Sequence, residues 1–136
     1  MNYFLAKSEP KAYSIEQLEH DGTTTWDGVT NPQAVRNIKD MRPNDRVFFY
    51  HSGGESAVVG LARVVSEPLP DPKNPKSAIV QIKFMKRFDE SVTLTEIKQS
   101  GLFADWALVR QGRLSTMHAP EKFVEWMREK FPKAGI

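Results

Sequence analysis

The clearest periodicity in the chain follows Arg46, where Val47, Phe49 and His51 alternate with Phe48, Tyr50 and Ser52. A repeat of two sends successive side chains to opposite faces of a strand. Gly53-Gly54 then supplies a hairpin turn, and the chain returns through Ala57 to Val65. Gly60 inside that return has no side chain to pack, which predicts a bulge or a corner where a closing sheet bends. Ala78 to Phe88 alternates again, with Val80, Ile82 and Phe84 opposed to Gln81, Lys83 and Met85. Tyr3 to Lys7 is a short apolar run stopped by Ser8, Glu9 and Pro10, the pattern of a buried first strand ending at a turn. Thr23 to Trp26 favours a strand before the Asp27-Gly28 turn, and Leu114 to Met117 reads as the last strand.

Between these runs the spacing changes to that of helices. Ser14 with Gln17 forms a capping box ahead of Ile15 and Leu18, predicting one or two helical turns that Asp21-Gly22 ends. Asn31 as N-cap and Pro32 at the first helical position open a second helix to about Asp40, with Ala34, Val35 and Ile38 on one face. Thr93 with Glu96 caps a short helix over Leu94 to Ser100, closed by Gly101. Pro120 opens the last, with Phe123, Val124, Met127 and Phe131 on one side and Glu121, Glu125, Arg128 and Glu129 on the other, until Pro132 stops it. Glu67 to Pro75 holds four prolines in nine residues and is expected to be an extended surface loop. Strands and short helices mixed in this way predict an α/β (α+β) fold.

Size and composition narrow the class. With 136 residues, 40% of them hydrophobic, and eight Phe, three Trp and three Tyr, the chain is expected to form one domain over residues 1–136 with a real core. The absence of cysteine excludes disulfides, thiolate zinc sites and cysteine nucleophiles. The net charge of +2 is slight beside the dense basic stripe of a protein that grips duplex DNA. Any nucleic-acid contact is therefore expected to be local, a pocket with a few cations. Lys7 and Glu9 interrupt the N-terminal segment, so it does not read as a signal peptide, and no apolar stretch approaches a membrane span. The expectation is a soluble, cytoplasmic protein, or a nuclear one in a eukaryote.

Candidate chemistry is sparse. His20, His51 and His118 have neither helical spacing nor a carboxylate cluster, so no metal and no cofactor are expected. His51 and Ser52 are neighbours on a strand and face opposite ways, which prevents them from pairing as base and nucleophile. No nucleophile elbow, phosphate-binding glycine loop or dinucleotide fingerprint occurs. What remains is a density of polar groups mixed with aromatics at turns: Lys7-Ser8-Glu9-Pro10, Trp26-Asp27-Gly28-Val29, Tyr50-His51-Ser52 and Arg113-Leu114-Ser115. Taken singly, each residue has an ordinary structural role. Together they are the inventory for stacking a flat ring and reading its edge.

The order of these segments resembles the EVE domain family of the PUA-like superfamily. The resemblance spans essentially the whole chain, through Tyr3 to Pro10, Trp26 to Val29, Asn31 to Ala34 with Arg36-Asn37, Tyr50 to Ser52, Val59 to Ala62, Pro70-Asp71 and Arg113 to Ser115. It implies a small, closed, mixed β-barrel wrapped by short helices, with a concave pocket for nucleic-acid bases. Carried onto this chain, the pocket would comprise Lys7, Ser8, Glu9, Trp26, Asp27, Asn31, Tyr50, His51, Ser52, Arg113, Leu114 and Ser115. Trp26 would be an aromatic wall, and Asp27, Asn31 and Ser52 would hydrogen-bond the base edge. Lys7 and Arg113 would neutralise a phosphate or hold the wall in place. Thr30 stands where the family often has Arg, Ser77-Ala78 lacks a frequent Trp, and Thr116-Met117-His118 departs from the usual continuation. The expected role is recognition without catalysis of a methylated or hydroxymethylated cytosine in DNA, with modified RNA close behind. The alternatives are an adaptor that binds a protein or a small ring-bearing metabolite, and a nucleotide-processing enzyme using Asp27 or Glu9.

Overall fold

The computed structural model describes residues 1–136. In chain order the elements are β1 (Tyr3–Ser8), α1 (Ile15–Asp21), β2 (Thr23–Trp26), α2 (Pro32–Lys39), β3 (Arg46–His51), β4 (Ala57–Val64), β5 (Leu69–Asp71), β6 (Asn74–Thr93), α3 (Leu94–Gln99), α4 (Ala107–Arg110), β7 (Thr116–His118) and α5 (Glu121–Lys130). The strands form one mixed sheet in the order β2-β6-β4-β3-β1-β7, with β5 paired to β6. The β1–β3 pair is parallel and the others are antiparallel. The sheet curls into a half-barrel whose edges, β2 and β7, are not paired with each other. Helix α2 packs against both β6 and β7 and so closes part of the gap, with Asn37 Nδ2 donating to the Thr116 carbonyl at 2.8 Å. The closed barrel implied by the resemblance is thus a half-barrel here, with a helix filling part of the gap where a last strand pair would close it.

The alternation after Arg46 is real, yet both faces of β3 are buried, because helices cover the sheet on either side. On one face Phe48 stacks with Tyr3 and meets Phe123 of α5 edge-on, with ring centroids 5.9 and 5.2 Å away respectively. On the other, Phe49 meets Trp26 edge-on at 5.8 Å. Gly60 lies at an irregularity in both of its pairings, opposite Phe49 on β3 and Arg87 on β6. A Cβ there would fall 2.6 Å from Ile15 Cδ1 and 2.7 Å from the Lys86 carbonyl oxygen, so the missing side chain is the space that lets α1 settle on the sheet.

Four segments differ from their sequence reading, the last strand among them, which is Thr116–His118 instead of Leu114 to Met117. The proline-rich stretch is not only a loop: Leu69–Asp71 forms the short strand β5 against β6. An edge position accommodates proline because an amide facing outward has no ladder partner to lose. Strand β6 extends over 20 residues, well past Phe88, bending where its register with β4 shifts. The four-residue helix α4 has no capping side chain and no signal in the sequence.

Candidate functional site

Parallel pairing of β1 with β3 sets Lys7 beside Tyr50 and Ser8 beside His51, so two of the turn segments leave the sheet together. The Ser52 amide donates to the Ser8 carbonyl at 2.9 Å, and the Lys7 amide donates to the Ser115 carbonyl at 2.8 Å. Three of the four segments therefore converge at one end of the sheet. The fourth, Trp26-Asp27, arrives on β2 across a gap bridged by the loop from Glu9 to Tyr13. Lys7, Ser8 and Glu9 on one side and Trp26 and Asp27 on the other enclose a cavity of about 680 Å³, completed by Ala12, Tyr13, Thr24 and Thr25. A smaller cavity of about 350 Å³ shares Glu9 with it and brings in Ser52.

Several of the lining residues are held by contacts of their own. Trp26 is half-buried; its indole Nε1 lies buried without a hydrogen-bond partner. Ser8 Oγ donates to the Tyr13 carbonyl at 2.6 Å and so fastens the bridging loop to β1. Tyr13 donates its hydroxyl to Asp21 at 2.9 Å, and burial followed by the Asp21 carboxylate keeps that hydroxyl's pKa above the usual tyrosine value, against a hydrogen bond with Thr24. Lys7 Nζ donates to the Gly112 carbonyl at 3.0 Å and sits 5.7 Å from the centre of the Tyr50 ring. Burial draws its pKa below the usual lysine value. Lys7 thus ties the segment before Arg113 to β1, a contact with the Gly112 carbonyl and not with the Trp26 wall.

The remaining anticipated residues stand in different places. Tyr50 is buried beneath Lys7, and burial raises its hydroxyl pKa. His51 accepts the Ile15 amide at Nε2, 3.0 Å away, and so caps the first turn of α1. Burial holds its pKa below the usual histidine value, with the Glu16 charge acting the other way. Asn31 is committed to the start of α2, its Oδ1 accepting the Gln33 and Ala34 amides at 2.9 and 3.1 Å. It does not line the Trp26 cavity, because capping fixes its oxygen on the helix. Leu114 is buried and lines a separate, more apolar cavity of about 410 Å³ with Trp106 and Met117. Ser115 contributes its carbonyl, and Arg113 is exposed, with no ion pair to a carboxylate.

Sequence reasoning missed Ala12, Tyr13, Thr24 and Thr25. Tyr13 carried a usable signal, an aromatic immediately before a helix cap, where a core role is not required. The two threonines carried none. No group of three or more His, Cys, Asp or Glu side chains is placed to hold a metal ion, and no helix is long and apolar enough to cross a membrane.

Comparison with known proteins bears on the whole arrangement. The family model described as EVE domain matches residues 2–130. Thymocyte nuclear protein 1 of Rattus norvegicus is 34% identical over 125 residues, covering 71% of this chain and 55% of that protein. The chain therefore spans about half the length of the curated relatives it matches. The solved structure of Rpa0253 from Rhodopseudomonas palustris superimposes with a TM-score of 0.89 at 34% identity, covering 95% of this chain and 92% of its own. The human THYN1 protein, in a crystal structure in complex with DNA containing 5-methylcytosine, superimposes with a TM-score of 0.86 at 26% identity, covering 96% of this chain and 97% of its own. The motif order, the half-barrel and a family match over nearly the full length agree, and the chain belongs to the EVE domain family.

Proposed function

We propose that this domain reads a modified cytosine in DNA, taking the base into the cavity between Trp26 and the Lys7-Ser8-Glu9 corner. The observation that carries the reading is the make-up of that cavity: one half-buried tryptophan beside carboxylate, hydroxyl and ammonium groups, in a volume of about 680 Å³. Ligand cavities of this size combine an apolar wall with a few oriented polar groups. A flat heterocycle stacks on the indole, and its polar edge meets the Glu9 and Asp27 carboxylates at the cavity wall. Asp27 and Glu9 offer acceptors to an exocyclic amine, and Ser52 stands at the adjoining cavity. The complex of the human relative with 5-methylcytosine DNA supports the choice of base and of nucleic acid.

The base reaches the cavity flipped from a duplex or presented in a single strand, since neither Trp26 nor the polar corner can enter stacked DNA. The role is recognition, with no chemistry on the base. Paired oligonucleotides with and without 5-methylcytosine, as DNA and as RNA, titrated at one salt concentration, test this directly. Preference for the modified DNA is expected, and Trp26→Ala should lose about 1 to 3 kcal/mol of binding with the fold intact. Equal affinity across the panel, or full affinity in the variant, would overturn the assignment.

A further inference from the structure

A row of unpaired cations crosses the sheet on the face opposite Trp26. The register places Arg46 of β3 beside Arg63 of β4, and Arg63 beside Lys83 of β6. Side chains at paired positions project to the same face, and Cα partners in antiparallel strands lie about 4.5 to 5.5 Å apart. Tyr3 on β1 continues the row beside Arg46, and its hydroxyl accepts a hydrogen bond from Arg128 of α5 at 3.1 Å. Because Tyr3 stacks on Phe48, this is the face that carries α5. Like charges directly opposite one another destabilise a sheet. None of Arg46, Arg63 and Lys83 has a carboxylate partner, whereas Arg87 on the other face of β6 is paired with both Glu16 and Glu19. Arg46 donates to the Asn44 carbonyl, and Arg63 Nε is buried with no acceptor.

We propose that Arg46, Arg63 and Lys83 form a track for the sugar-phosphate backbone of the DNA whose base enters the Trp26 cavity. The proposal rests on the nucleic-acid reading above and adds to it where the strand runs. The row ends on β6 beside Thr23 of β2, and Trp26 lies three residues further along that same edge strand, about 10 Å away. A strand that delivers a base to one face of β2 can therefore pass around this edge and lay its phosphates on the other. A Cα spacing of about 5 Å between neighbouring positions of the row, with long side chains on each, lets two or three successive phosphates be neutralised by one row.

Duplex oligonucleotides with and without 5-methylcytosine provide the test, with the logarithm of affinity followed against the logarithm of salt. If Lys7 and Arg113 were the sole phosphate contacts the slope would be near −2, and the row should steepen the parent's slope to about −4. The triple variant Arg46→Gln, Arg63→Gln, Lys83→Gln should flatten it by about two units and lower affinity for both oligonucleotides by the same factor, at least about thirtyfold near 0.1 M salt. Its melting temperature should equal or exceed the parent's, because the facing charges are gone. A charge-matched control, Lys73→Gln, Lys76→Gln, Lys98→Gln, should leave the slope within about half a unit. An unchanged slope in the row variant, or equal flattening in the control, would overturn the track. Equal affinity for both oligonucleotides with a slope that still depends on the row would remove the base reading and leave the track standing; no binding by the parent would remove both.

Discussion

Lys7 and His51 are both polar side chains at the end of a parallel strand pair, and neither is idle before a ligand arrives. The Lys7 ammonium is shared between the Gly112 carbonyl and the Tyr50 ring, so it shapes the cavity wall as well as charging it. His51 must be neutral at Nε2 to accept the Ile15 amide, and burial favours that form. A group whose pKa is lower folded than unfolded adds stability above its unfolded pKa and loses it as pH falls through the folded value. The cap should therefore be intact at neutral pH and fail below the usual histidine value of about 6.5. In melting curves between pH 7.5 and pH 5, His51→Gln, whose amide oxygen accepts at any pH, should lose less stability than the parent. Parallel pH profiles would show that the cap does not titrate. Burying one methyl group is worth only about 0.8 kcal/mol, roughly fourfold in affinity, so larger selectivity must come from polar residues such as Asp27 whose bonds the wrong base leaves unmade.

At the scale of elements, Gly60 couples a helix to a sheet. The Cβ that it lacks would strike both Ile15 of α1 and the Lys86 carbonyl of β6. Side-chain ends can rotate aside, but a backbone oxygen at 2.7 Å moves only with its strand. Gly60→Ala should accordingly cost about 1 to 3 kcal/mol of stability, measured by denaturant unfolding, and an unchanged midpoint would show that the bulge absorbs a methyl group freely. The loss should reach the cavity, because α1 is continuous with the Ala12-Tyr13 segment that lines it. Edge position explains the proline-rich segment in the same terms: β5 needs only one set of hydrogen bonds, so Pro70 can stand opposite Ala78.

Across the whole molecule the cavity sits where the sheet is least supported. Strands β3 and β4 are paired on both sides and buried, whereas β2 is an edge of four residues paired only with β6. Local opening is easiest where few backbone bonds and few buried contacts must break. Amides of β2 and of the Glu9 to Tyr13 loop should exchange with solvent at least about tenfold faster than those of β3 and β4, and a bound 5-methylcytosine oligonucleotide should slow them selectively. Uniform exchange across the sheet would show that the cavity wall does not open as a separate unit.

Local rules decided much of this protein directly from its sequence. The caps at Ser14, Asn31 and Thr93, the double-glycine hairpin and the Gly60 irregularity each depend on a few adjacent residues, and the structure has all of them. The meeting of the Lys7, Tyr50 and Arg113 segments was legible only as motif order, since nothing local states that β1 pairs in parallel with β3. Tertiary structure alone decided that Asn31 spends its oxygen on a helix, that Tyr13 joins the cavity, and that α2 stands between the sheet edges. It also decided that three cations, at positions 46, 63 and 83, line up across the sheet. Register makes neighbours of residues far apart in the chain, and a shift of one residue would send such a side chain to the other face.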